Sequence, residues 1–138
     1  MPSPRNRGLV VTSSVLAAAS ALALGFYADE RYEISEIEAK AQAMTLGSVD
    51  RGREAFGKYG CGGCHTVHHI PAASGTVGPP LDGVAARGII GGRLSNTPDH
   101  MRQWIENPQG VSPGTAMPNL GVTRQDSRDI AAFLYTRV

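Results

Sequence analysis

Aromatic residues make up only 6% of the 138-residue chain, cysteine occurs twice, and the net charge is +1. Each scarcity excludes something. A near-neutral balance offers no global attraction to nucleic acid. Without a third cysteine, a thiolate-rich zinc site has no donors to draw on. The 17 glycines and 9 prolines, most of them between Gly60 and Gly121, leave few side chains for a core. A small domain of short helices and long loops then calls for a staple. No internal repeat and no second globular domain is evident, and the length suits one small domain plus an appendage.

The two cysteines form one pentapeptide, Cys61-Gly62-Gly63-Cys64-His65. On a helical turn, positions i, i+3 and i+4 share a face. Both thiols can therefore reach the two vinyl groups of one porphyrin, with the imidazole directed at its iron from the same side. This is the spacing of c-type haem attachment. A bare C-x-x-C also suits a thioredoxin-like redox pair, half a zinc site or a disulfide. Zinc would need two more soft ligands from elsewhere, and a redox pair has no need of a histidine at that place. One covalently attached haem c would also supply the staple.

Residues 8–27 carry no charge, follow Arg5 and Arg7, and precede Asp29 and Glu30. Twenty helical residues span about 30 Å, the thickness of a bilayer core. The expectation is a single-pass anchor over residues 1–27 in the cytoplasmic membrane, its N-terminus in the cytoplasm and the rest on the periplasmic side. A cleaved signal peptide, cut after Ala21 or Ala23, is the alternative. Ser13, Ala17, Ala21 and Gly25 form a stripe of small residues of the kind that packs against other membrane helices. Residues 28–47 are acidic, free of Gly and Pro until Gly47, and carry Ile34, Ile37, Ala41 and Met44 on one stripe. They predict a helical stalk.

In residues 48–138, Ser48 caps a short helix over Val49–Gly60 that leads into the pentapeptide. Thr97-Pro98-Asp99 starts a helix running through Met101, Trp104 and Ile105 to Asn107-Pro108, and Thr123 caps a last one through Ile130, Phe133 and Leu134. The fold class expected is all-α: three to four short helices around a covalent haem, with the transmembrane helix and stalk in front. An electron carrier needs a sixth iron ligand, and Met44, Met101, Met117, His68, His69 and His100 are the candidates. Met117 is favoured, because it sits in an irregular stretch, Pro113 to Pro118, that can bring a thioether to a haem already held on its other face.

In this order of features residues 48–138 resemble a class I cytochrome c, of the mitochondrial cytochrome c family. Gly52 and Phe56 are similar to the residues of a first helix that cross a last helix at Phe133. Cys61, Cys64 and His65 match the attachment site, and Pro113 through Met117 the ligand loop. The resemblance implies axial ligation by His65 and Met117 and a Pro79 carbonyl accepting from His65. It also implies haem surroundings that include Arg87, Trp104 and Thr115. The stretch from Asn96 to Gly121 looks most like the cytochrome c domain fused to subunit II of some bacterial haem-copper oxidases. One departure is plain: the family's ring of lysines is reduced here to Lys58.

The function implied is one-electron transfer, with no small-molecule substrate at the iron and no enzyme activity in the chain alone. Expected partners are the lipid bilayer, membrane-embedded subunits of a respiratory complex and another redox protein, a terminal oxidase being favoured. A cytochrome subunit of a periplasmic dehydrogenase, or an open-site haem sensor or peroxidase, are the alternatives.

Overall fold

A computed structural model describes residues 4–137, with side chains from Val15 to Arg137. The described elements are helices α1 (Pro4–Thr45), α2 (Val49–Lys58), α3 (Pro98–Glu106), α4 (Pro108–Val111) and α5 (Arg124–Tyr135). Between α2 and α3 lie two 3-10 turns, Cys61–Gly63 and Val84–Ala86, and a hairpin of β1 (Ile89–Ile90) and β2 (Leu94–Ser95). The hairpin is antiparallel and pairs Ile89 with Ser95 and Ile90 with Leu94. It is a small departure from the expected all-α class.

The chain divides into two units, Met1–Glu36 and Ile37–Val138. The first is helical, and Val15, Leu16, Leu22, Leu24, Phe26 and Tyr27 are exposed on it. The expected single-pass location in the cytoplasmic membrane is overturned, and with it the transmembrane part of the expected architecture. Among the described residues, no helix is long and apolar enough to cross a membrane. Helix α1 has the length but lacks a sustained apolar stretch over those residues. Its described side chains give fourteen uncharged residues, 15–28, before Asp29, Glu30 and Arg31. That is about 20 Å of helix against about 30 Å of hydrocarbon. Residues 8–14 of the expected span lie outside the described side chains, and residues 1–3 outside the described structure.

In the second unit the end of α1 packs through small residues. Ala41 and Thr45, one turn apart, are buried, and the Thr45 hydroxyl donates to the Ala41 carbonyl at 2.8 Å. Of the expected apolar stripe Ala41 is buried, whereas Ile34, Ile37 and Met44 are exposed. Close approach to the rest of the unit favours Ala and Thr over the longer side chains.

Helix α2 begins where Ser48 Oγ accepts from the Arg51 amide. It ends at Lys58, two residues short of the expected Gly60, because Gly60 adopts φ +68° and turns the chain into the attachment segment. Helix α5 is capped by Thr123 and buries Ile130, Ala131, Ala132, Phe133 and Leu134. The two cross at Gly52, where a Cβ would lie 1.8 Å from the Asp129 carbonyl oxygen and 2.8 Å from Phe133 Cβ. Only a bare α-carbon fits. Phe56 and Phe133 meet beside it with ring centroids 5.6 Å apart, tilted by 59°.

A buried carboxylate latches this crossing. Asp129 accepts from the Ser48 amide at 2.7 Å, from Arg51 Nε at 2.9 Å and Nη2 at 3.0 Å, and from Gln125 at 3.0 Å. Burial pushes the Asp129 carboxyl up, but the hydrogen bonds from Arg51, the Ser48 amide and Gln125 outweigh it and hold the group below its usual 3.8. At the other end of α2, the Tyr59 hydroxyl at 2.6 Å and Lys58 at 2.9 Å hold Asp126 low.

A depressed folded-state value stabilises the fold above the unfolded carboxylate value, and the contribution drains away as pH falls through the folded one. Denaturant melts of the haem-loaded protein are therefore expected to show stability falling below about pH 4. Asp129→Asn should lower stability at pH 7 and flatten that acid slope; an unchanged slope would remove Asp129 from the account.

Candidate functional site

The pentapeptide forms one helical turn directly after α2. The Cys64 and His65 amides both donate to the Cys61 carbonyl, at 3.2 and 3.0 Å. This puts Cys61, Cys64 and His65 together on the lining of a cavity of about 350 Å³. The loop that follows folds back on the turn: Gly75 donates to Gly62 O at 3.0 Å and Gly78 to Cys64 O at 2.8 Å. Both thiols are free and half-buried. Burial pushes the Cys61 thiol up to about 11, so it is protonated at neutral pH.

His65 Nδ1 lies 2.8 Å from the Pro79 carbonyl oxygen. A carbonyl only accepts, so Nδ1 carries the hydrogen and Nε2 of the neutral ring keeps its lone pair. Such a bond fixes the ring and raises the basicity of the other nitrogen. The ring also needs Gly78 to be bare, since a Cβ there would lie 2.3 Å from His65 Cε1 and 2.6 Å from Nδ1.

All eight residues expected at the site line this one cavity: Cys61, Cys64, His65, Pro79, Arg87, Trp104, Thr115 and Met117. Its apolar wall comes from α2 (Phe56), α3 (Met101, Ile105) and α5 (Ile130, Leu134), with Leu81, Val84 and Ile90 between. Of the other ligand candidates, Met101 lines the cavity from within α3 and is buried in the core. Met44 lines a separate cleft of about 230 Å³. His68 and His69 are exposed, their rings edge to face at 4.5 Å, and the His68 amide donates to the Asp82 carboxylate at 2.9 Å. His100 Nδ1 contacts the Ser95 carbonyl at 2.8 Å. None of these three histidines lines the cavity. Arg87, expected among the haem surroundings, directs Nη2 at the Pro80 carbonyl and, at 3.4 Å, at Asp82 O. It braces the segment that accepts from His65.

Residues 49–137 match the family model described as cytochrome c. The chain belongs to the cytochrome c family. Its cofactor is accordingly one covalently bound haem c, and the protein is an electron carrier. The cytochrome is 28% identical over 102 residues to cytochrome c oxidase subunit 2 of Alkalihalophilus pseudofirmus, covering 73% of this chain and 29% of that one. It is 36% identical over 105 residues to a cytochrome c homolog of Bradyrhizobium diazoefficiens, covering 66% and 55%. With cytochrome c-550 of Nitrobacter winogradskyi it shares 30% over 95 residues, covering 60% and 84%. The cytochrome thus spans less than two thirds of the first two relatives. No solved structure matches it.

The residues fit the cofactor. Two unpaired thiols share one turn, the cavity wall is apolar, and the imidazole is held in the tautomer that leaves Nε2 free. Two contributors escaped the sequence reading. Asn96 Nδ2 donates to Val84 O at 2.8 Å and Arg87 O at 2.7 Å, while its Oδ1 accepts from the Tyr135 hydroxyl at 2.8 Å. It ties the Arg87 turn to α5, and burial pushes the Tyr135 hydroxyl up to about 12. Gln109 bonds the segment that carries Met117. The available signal for Gln109 was its place just after Pro108, ahead of a stretch bounded by two prolines.

Gly78→Ala is expected to push the imidazole off the Pro79 carbonyl and to lower the stability of the haem-loaded cytochrome by about 1–3 kcal/mol, the usual cost of overpacking. Chemical denaturation measures the loss, and the His65 ring resonances should shift with it; wild-type values for both would contradict the contact.

Proposed function

We propose that the cytochrome is a one-electron donor to a terminal oxidase, its haem tethered by Cys61 and Cys64 and ligated by His65 and Met117. The observation that carries the reading is the convergence of both thiols, the oriented imidazole and the Met117 segment on one apolar cavity. Bound there, the haem supplies the redox chemistry, its iron alternating between the ferrous and ferric states.

Each residue then has a defined task. Cys61 and Cys64 would hold the haem beside α2 through two thioether bonds. His65 offers Nε2 while Pro79 holds its other nitrogen. As a soft donor, the Met117 sulfur would favour the ferrous state. Leu81, Val84, Ile90, Ile105 and Ile130 keep water out, which also disfavours the extra positive charge of the oxidised state. With His65 and Met117 both serving as ligands, the iron would have no position left for a substrate.

The oxidase assignment is supported by the relative named cytochrome c oxidase subunit 2, similar over 73% of this chain. The surface argues for a mode of docking without a lysine ring, since Lys58 is the sole lysine after Lys40. Arginine carries the remaining basic charge.

Met117→Ala is expected to open the sixth position. The ferrous form should bind carbon monoxide rapidly without denaturant, and the potential should fall by on the order of 0.1 V, within the roughly 0.8 V range that axial ligands set. An unchanged spectrum and potential would remove Met117 as ligand. Stopped-flow mixing of the reduced cytochrome with the oxidase purified from its own source should show rapid oxidation. Co-purification with a catalytic dehydrogenase subunit, and no oxidation by the oxidase, would overturn the partner.

A further inference from the structure

We propose that Gln109 is a positioning residue that clamps the Met117 segment in the conformation in which its thioether can serve the iron; this rests on the reading of Met117 as a ligand. The side-chain amide bridges the segment at three points. Nε2 donates to the Thr115 carbonyl and to the Met117 carbonyl, each at 2.7 Å, and Oε1 accepts from the Gly114 amide at 3.2 Å. The orientation of the amide is unambiguous: two of its neighbours are carbonyl oxygens that only accept, and the third is an N–H that only donates.

The clamp is mounted on a rigid base. Pro108, just before it, is fully buried, and Asn107 caps α4 by accepting from Gly110 at 2.9 Å. The Gln109 amide is itself held by Asn119 Oδ1 at 3.2 Å, so both flanks of the segment meet at this residue. The segment has little else to define it. Within the described residues, its other hydrogen bond is Thr115 N–H to Ser112 O at 3.1 Å. Pro113 and Pro118 have no N–H to give. Without Gln109, the Thr115 and Met117 carbonyls and the Gly114 amide lose their protein partners.

A loop methionine leaves iron when its segment opens, and an exogenous ligand binds only the open form. Its apparent affinity therefore reports the open fraction. Removing three hydrogen bonds from so sparsely bonded a segment should raise that fraction by about ten- to a hundredfold. The test uses the full-length, haem-loaded protein with carbon monoxide as the probe. Gln109→Met keeps length and volume but makes none of the three bonds, and Gln109→Glu keeps the acceptor for Gly114 while losing both donations.

Both variants should bind carbon monoxide about tenfold or more tightly than the wild type, with a weakened iron–thioether signature in the ferric spectrum. Met117→Ala sets the fully open limit. Wild-type affinity in Gln109→Met would mean that the residue only fills space, and would overturn the clamp. If Met117→Ala itself changes neither binding nor spectrum, the ligand assignment fails instead, so the two failures are distinguishable. Should neither Gln109 variant fold, hydrogen exchange on the unmutated protein decides: the Gly114 amide is expected to be protected, and exchange at the rate of a free amide would overturn the clamp.

Discussion

The absence of a side chain at Gly52 is the constraint on which the haem unit depends. It lets α2 and α5 meet backbone to backbone, and the contact brings Phe56 onto Phe133 and Ser48 and Arg51 onto Asp129. Everything at the site is aimed from this crossing. The attachment turn follows α2 after two residues, and Ile130 and Leu134 of α5 line the cavity. A carboxylate with four donors at the crossing adds direction to a contact that hydrophobic burial alone would leave free to slide.

The site is built in two styles. On the histidine side the chain is dense with main-chain bonds: Gly75 to Gly62, Gly78 to Cys64 and Leu81 to Thr66. The ring that results is fixed by its own loop. On the methionine side the segment is bounded by prolines and held by one amide side chain reaching in from α4. The first style holds an imidazole that cannot turn away without unfolding its loop, whereas the second leaves a thioether governed by a few identifiable bonds.

What was legible in the sequence was local. The pentapeptide, the Thr97-Pro98 and Thr123 caps and the proline-bounded methionine each depend on neighbours within a few residues, and all eight expected site residues meet at one cavity. Four features were not legible, for different physical reasons. Gln109 and Asn96 act through carbonyls brought near them only when the loops close. Of the apolar stripe on α1, close packing took Ala41, joined by Thr45, and left Ile34, Ile37 and Met44 exposed, because proximity rewards small side chains over large ones. The uncharged N-terminal run read as a bilayer span from its length and its flanking charges; its described part is too short an apolar stretch for that. The two-residue strands at Ile89 and Leu94 are too brief for any periodicity to register.

The latch between Ser48 and Asp129 joins residues 81 positions apart. During synthesis α2 and the attachment turn therefore leave the ribosome well before the helix that completes them. Before α5 exists, α2 is a helix of ten residues without its packing partner, and isolated helices that short are marginal in water. Until α5 arrives, the two cysteines sit on an unfolded, accessible chain. The same long-range contact that organises the finished molecule thus also keeps open an interval in which haem can be joined to it.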